Sequence, residues 1–147
     1  MKGVPMKNAL IYASLACLSL GTPAFAQNLT LDPGYWEMSM TLDMPGNSMV
    51  EKTGSCTTDE DLSMSAQEFI DSTVADFNCS TGPIEQVENL YKSKLTCDPS
   101  TFMTEGDVTI VSTPRAMMVM LEIGSIVEEM GPIKMYLITN RVGECED

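Results

Sequence analysis

The sequence predicts a mainly β fold: an antiparallel, strongly curved sheet, barrel-like or sandwich, of about six or seven strands with one covering α-helix and two disulfides. Three observations predict it. Apolar and polar residues alternate without a fault along 36–44, and only one stretch, 59–74, carries apolar residues at helical spacing. Turn signals punctuate the remainder every 8 to 12 residues or so, the rhythm of short strands.

In the first strand Trp36, Met38, Met40, Leu42 and Met44 point one way and Glu37, Ser39, Thr41 and Asp43 the other, giving one core face and one wet face. Pro45, Gly46, Asn47 and Ser48 form a turn, and 49–56 returns as the second arm of a hairpin. The period then changes. Thr57 or Thr58 can cap a helix over 59–74, with Glu60 or Asp61 completing the capping pattern. Leu62, Ala66, Phe69, Ile70 and Val74 share its apolar face; Leu62, Phe69 and Ile70 are placed over the first strand or over 116–123. Asp59, Glu60 and Asp61 fall in its first turn, where acids complement the helix dipole. Capping is the better account of this triplet than calcium, because no EF-hand loop with its glycine and closing glutamate follows.

From Cys79 the pattern is β again. Segments 84–87 and 90–97 flank Glu88 and Asn89 as a second hairpin, 102–112 is the next strand, and Ser112 to Arg115 is a turn. Residues 116–123 are apolar nearly throughout, which predicts a strand covered on both faces, with the helix as the second cover. Gly124 and Ser125 interrupt, 126–130 fits neither period, Gly131 and Pro132 turn the chain, and 133–142 is the last strand.

The N-terminus explains the cysteines. Lys2 and Lys7 precede an apolar run over 9–20, helix breakers follow at 21–23, and Ala24-Phe25-Ala26 presents small residues at both positions a signal peptidase reads. Residues 1–26 are therefore expected to be a cleavable signal peptide, cut between Ala26 and Gln27, leaving 27–147 as a single β-rich domain of 121 residues. No later run approaches the roughly 20 apolar residues of a spanning helix, so no membrane span is expected after cleavage. The expected location is the periplasm, or the medium, of a Gram-negative type envelope. There Cys56, Cys79, Cys97 and Cys145 should pair. Cys79 with Cys97 and Cys56 with Cys145 is preferred because equal hairpin arms oppose the first pair; Cys56 with Cys79 and Cys97 with Cys145 stays open.

Pro33-Gly34-Tyr35-Trp36-Glu37, the methionine-rich strand ending in Met44-Pro45-Gly46, Cys56-Thr57, Cys79, Cys97 and the closing Arg141-Val142-Gly143-Glu144-Cys145 resemble the bacterial exported family named domain of unknown function 3617. The likeness runs over 32–145. It implies export and four paired cysteines. The family carries no established activity, so no functional residue is transferred.

Composition excludes several functions. The signal takes two of eight basic residues and none of 21 acidic ones, leaving a charge of about −15 (6 against 21), which argues against nucleic acid as a partner. Histidine is absent, which removes Ser-His, Cys-His and most zinc mechanisms. No phosphate-cradling glycine loop is present. The expectation is a protein that is not an enzyme and needs no cofactor, acting as a binding module or structural envelope component.

Two alternatives name a ligand. One is an apolar small molecule held by the sheet interior, an envelope protein being the other class of partner. The second is Cu(I), which soft thioethers select: Met38 with Met40, and Met118 with Met120, each place two sulfurs on one face of a strand. Against copper, methionine is also an adaptable core filler that packs on aromatic rings.

Overall fold

A computed structural model describes residues 28–62 and 64–146. The expected signal peptide and the Ala26/Gln27 cleavage site lie outside the described residues. The chain forms β1 (Gly34–Met44), β2 (Asn47–Thr57), α1 (Ala66–Ala75), β3 (Cys79–Thr81), β4 (Glu85–Val87), β5 (Leu90–Cys97), β6 (Met103–Thr113), β7 (Ala116–Ser125) and β8 (Ile133–Gly143), with short 3-10 turns at Pro99–Thr101 and Glu128–Met130. The eight strands among the described residues belong to one antiparallel sheet in the order β2-β1-β8-β7-β6-β5-β3, with β4 also on β5. The sheet is not closed: β2 and β3 are its edges.

The fold class is as the sequence predicts, with eight strands rather than six or seven. The extra strand comes from a split. Gly82 and Pro83 separate β3 from β4, and the register on β5 slips by one residue between them, from Val87↔Leu90 to Cys79↔Cys97. That slip sets the two cysteines opposite each other, where they form a disulfide across the β3–β5 pair. Cys56 joins Cys145, closing a separation of 89 residues. Of the two connectivities open from sequence, this is the preferred one.

Register assigns each side chain to a face. Trp36, Met38, Met40 and Leu42 of β1 share theirs with Thr139, Leu137 and Met135 of β8, with Met117, Val119 and Leu121 of β7, and with Ile110 and Val108 of β6. Of these inner-face residues, Met40, Leu42, Met135, Leu137, Met117, Val119, Leu121, Ile110 and Val108 pack in one apolar cluster with Ala66, Ile70 and Val74 of α1, all three fully buried. Trp36 is buried beside it and Met38 is half-buried. Among the described residues the sheet has no second cover. β7 is buried only on its inner side, and Met118 and Met120 stand half-exposed on the outer side. The expectation that 116–123 is covered on both faces is therefore corrected: the helix lies on the same inner face as the remainder of the core.

The helix also begins later than the spacing predicts. Ser65 is its N-cap and Glu68 completes a capping box: the Ser65 hydroxyl accepts from the Glu68 N–H at 3.2 Å, and the Glu68 carboxylate accepts from the Ser65 N–H at 2.9 Å. Residues 58–62 instead form a separate turn, in which the Asp61 carboxylate accepts from the Thr58 N–H at 2.9 Å and its hydroxyl at 2.7 Å. The acidic triplet thus lies outside the helix.

The start of β1 and the end of β8 meet at one corner. Gly34 has φ +146°, and a Cβ there would lie 2.6 Å from Arg141 Nε and in collision with the Gly143 carbonyl. Arg141 Nε donates to the Pro33 carbonyl at 2.6 Å, and its Nη2 pairs with the Glu144 carboxylate. Glycine is required here for close approach. At Gly46, φ +80° suits the third position of a Pro-Gly turn and the site is open space.

These contacts order the expected losses. Gly34→Ala should destabilise by about 2 kcal/mol or more and Gly46→Ala by about 1 kcal/mol, as read from urea denaturation midpoints. Ser65→Ala should cost about 1 kcal/mol and weaken the helical signal in far-ultraviolet circular dichroism, whereas Thr58→Ala should leave that signal unchanged.

Candidate functional site

A helix of ten residues is about 15 Å long, while seven strands abreast span about 29 Å at the usual spacing. One such helix cannot roof the whole inner face. Here α1 sits toward the β3 edge, where Gln67 Nε2 donates to Thr81 Oγ1 at 2.6 Å. The other end of the face, on β1, β8 and β7, is roofed by the N-terminal segment and by the turn before α1.

Beneath that roof lies a pocket of about 250 Å³. Its floor is Trp36, Met38, Leu137, Thr139 and Met117, neighbours by register: Met38 opposes Thr139, and Thr139 opposes Met117. Ser55 and Thr57 of β2 form one wall, Ser55 lying opposite Trp36. Leu29 and Leu31 close a second side, with Asp61, Leu62, Met64 and Phe69 above. Two contacts hold the leader in place: Asn28 bridges to Ser65 at the helix cap, and the Asp32 N–H donates to the Pro114 carbonyl at 2.7 Å. Trp36 Nε1 donates to the Asp32 carbonyl at 3.0 Å, so the indole is fixed with its polar atom satisfied and its ring against the cavity.

Nine of the thirteen lining residues are apolar, and Asp61 is the single charged one. The backbone N–H of Thr58, and then its hydroxyl, hold the Asp61 carboxyl below its ordinary value of 3.8. It is therefore ionised at neutral pH.

Of the methionines singled out from sequence, Met38 lines this pocket and Met40 shares its face two residues on. Met118 and Met120 are on the outer side of the sheet, beside Ile138 and Tyr136. The two pairs are thus separated by the thickness of the sheet and do not form one site. No group of three or more His, Cys, Asp or Glu able to hold a metal occurs among the described residues. The four cysteines are spent in the two bridges.

The outer face is graded instead. Val87, Leu90, Val111, Met118 and Ile138 form an apolar row across five strands, and two rows away Lys94 pairs with Asp107 at 2.5 Å and Lys134 with Glu122 at 3.4 Å. Both ion pairs are solvated and add little stability.

Sequence reasoning placed Trp36 and Met38 on the apolar face of the first strand, as found, but placed Leu62 on the helix, whereas it lies in the turn before it. It missed Asp61, Ser55, Thr57, Leu29 and Leu31 as parts of a site. A second Thr/Ser-x-x-acid pattern, at Ser65 and Glu68 as well as Thr58 and Asp61, was the available signal that the acids could close a turn rather than start the helix.

The Asp61 arrangement has a direct check. Its carboxyl carbon, followed by NMR, should titrate with a midpoint below 3.8, and Thr58→Ala should move that midpoint up. Because the folded value is depressed, any stabilisation from this turn is present above the ordinary carboxylate value and is lost as pH falls through the lower folded one.

The family model described as protein of unknown function (DUF3617) matches residues 31–145. No curated protein matches the chain, and no solved structure does.

Proposed function

The chain belongs to the DUF3617 family, and we propose that it is an exported, non-catalytic binding module of the periplasm that takes a small apolar molecule on the inner face of its sheet. The observation that carries this reading is the apolar pocket at Trp36, Met38, Leu137 and Met117, left where a single short helix cannot cover the sheet. Sites for small molecules are concave, mostly apolar and furnished with a few polar groups, and this one has Thr139 in its floor and Ser55, Thr57 and Asp61 at its margins.

Binding would follow from water release. An apolar ligand would remove its own surface and that of the indole and thioethers from water, at about 25 cal/mol per Å² buried. Met38, Met64 and Met117 line the pocket, and unbranched thioethers can repack around different shapes. The volume lies below the range of about 300–1,000 Å³ typical of drug-sized ligands, which suits one short chain or a single ring. Export is supported by two disulfides and by the signal-like N-terminus. No helix among the described residues is long and apolar enough to cross a membrane.

Native mass spectrometry of protein purified from periplasm tests the reading. The expected result is a chain starting at Gln27 and carrying a non-covalent small apolar adduct. Ser55→Phe, which projects a ring into the pocket from an exposed edge strand, should remove the adduct while leaving the melting temperature within a few degrees. Bare protein in both cases, with no adduct recovered on incubation with octanol, would refute it.

A further inference from the structure

The pocket's charge pattern says which ligands it accepts. Of the thirteen residues lining it, none is basic, and the one charged group is a carboxylate. Among the described residues no basic side chain is placed to compensate it. The described residues contain six basic side chains. Lys52, Lys92, Lys94 and Lys134 are on the outer face by register, the last two paired with Asp107 and Glu122. Arg115 is exposed in the turn between β6 and β7. Arg141 stands opposite Trp36 in the β1–β8 register, but its guanidinium is committed to the Pro33 carbonyl and to Glu144.

An anionic head group entering this pocket would meet the Asp61 carboxylate and, among the described lining residues, no basic side chain. We infer that the pocket selects a small cationic amphiphile, an ammonium group on a single apolar chain or ring, with the apolar part against Trp36 and Phe69 and the ammonium at Asp61. The inference deepens the binding reading above and rests on it.

Three features place Asp61 well for this. It is at the exposed rim, where an ammonium can stay partly hydrated and avoid the full desolvation cost of a buried charge. Its Oδ2 is held toward Thr58 by two hydrogen bonds, which orients the carboxylate without neutralising it. Asp59 precedes it on the same exposed turn, and Glu51 stands on the inner-face side of β2, opposite Met40. The local field is therefore negative along the approach, and a field of this sign raises the local concentration of cations.

The experiment uses octylammonium, octanol and octanoate, which share a chain and differ in head charge, titrated below their micelle concentrations. The protein has a single tryptophan, so emission from Trp36 reports on the pocket directly. Octylammonium should bind roughly tenfold tighter than octanoate, with octanol between them, since attraction to an exposed carboxylate and repulsion by it are each worth a few-fold. Asp61→Asn should weaken octylammonium about threefold, leave octanol unchanged and reduce the dependence of the octylammonium constant on salt. Octanol and octanoate binding as tightly as octylammonium would overturn the inference while leaving the pocket reading intact. An unchanged ratio in Asp61→Asn would overturn it too, assigning the selectivity to the net charge of the whole chain. No emission change with any of the three would defeat the inference and the pocket reading together.

Discussion

The pairing of β1 with β8 is the constraint on which the structure depends. It opposes Tyr35 to Gly143 and runs to Asp43 and Lys134, joining the first strand of the chain to the last. Without it the β1–β2 hairpin would be separate from the meander β5 to β8. Closing so long a loop is entropically unfavourable, and three local features offset that loss. Gly34 lets the backbones approach, Arg141 ties its side chain to the Pro33 carbonyl, and Cys56 is bonded to Cys145 just beyond the last strand. A crosslink across 89 residues restricts the unfolded chain more than one across a short loop, by about 4.6 kcal/mol against about 3.2 kcal/mol for a loop near 18 residues in the chain-entropy model.

From that pairing the site follows. β1 brings Trp36 and Met38 alongside Thr139 and Met117, and β2 follows with Ser55. The inner face thereby becomes wider than its helix. What the helix leaves uncovered is roofed by two irregular segments, and irregular segments pack less completely than regular elements do. The pocket is thus a consequence of sheet width and helix length before it is a consequence of any particular lining residue.

Much of the fold was legible because one-sided burial writes itself into sequence. The alternation from Trp36 to Leu42 needed no context, and the Pro45-Gly46 turn announced its own geometry. Other features depended on contacts that no local window contains. Thr58 with Asp61 and Ser65 with Glu68 are equally good capping patterns, and the bridge from Asn28 to Ser65 accompanies the one that is used. The apolar outer side of β7 looked like a buried strand because Met118 and Met120 resemble core residues; in the structure they lie half-exposed beside Ile138 and Tyr136 on the same face. The pocket was the least legible part. Its walls come from the leader, both hairpin arms, the turn, the helix and the last strands, and Leu29 in particular carries no sign in its surroundings of what it will cover.

The most direct test is the sulfur connectivity, because it reports the register that brings β1 and β8 together. Peptide mapping of unreduced protein recovered from the envelope should yield Cys56 linked to Cys145 and Cys79 linked to Cys97, with no free thiol among the four. Cys56 linked to Cys79, with Cys97 linked to Cys145, would contradict the β1–β8 closure and remove the basis for the pocket built upon it.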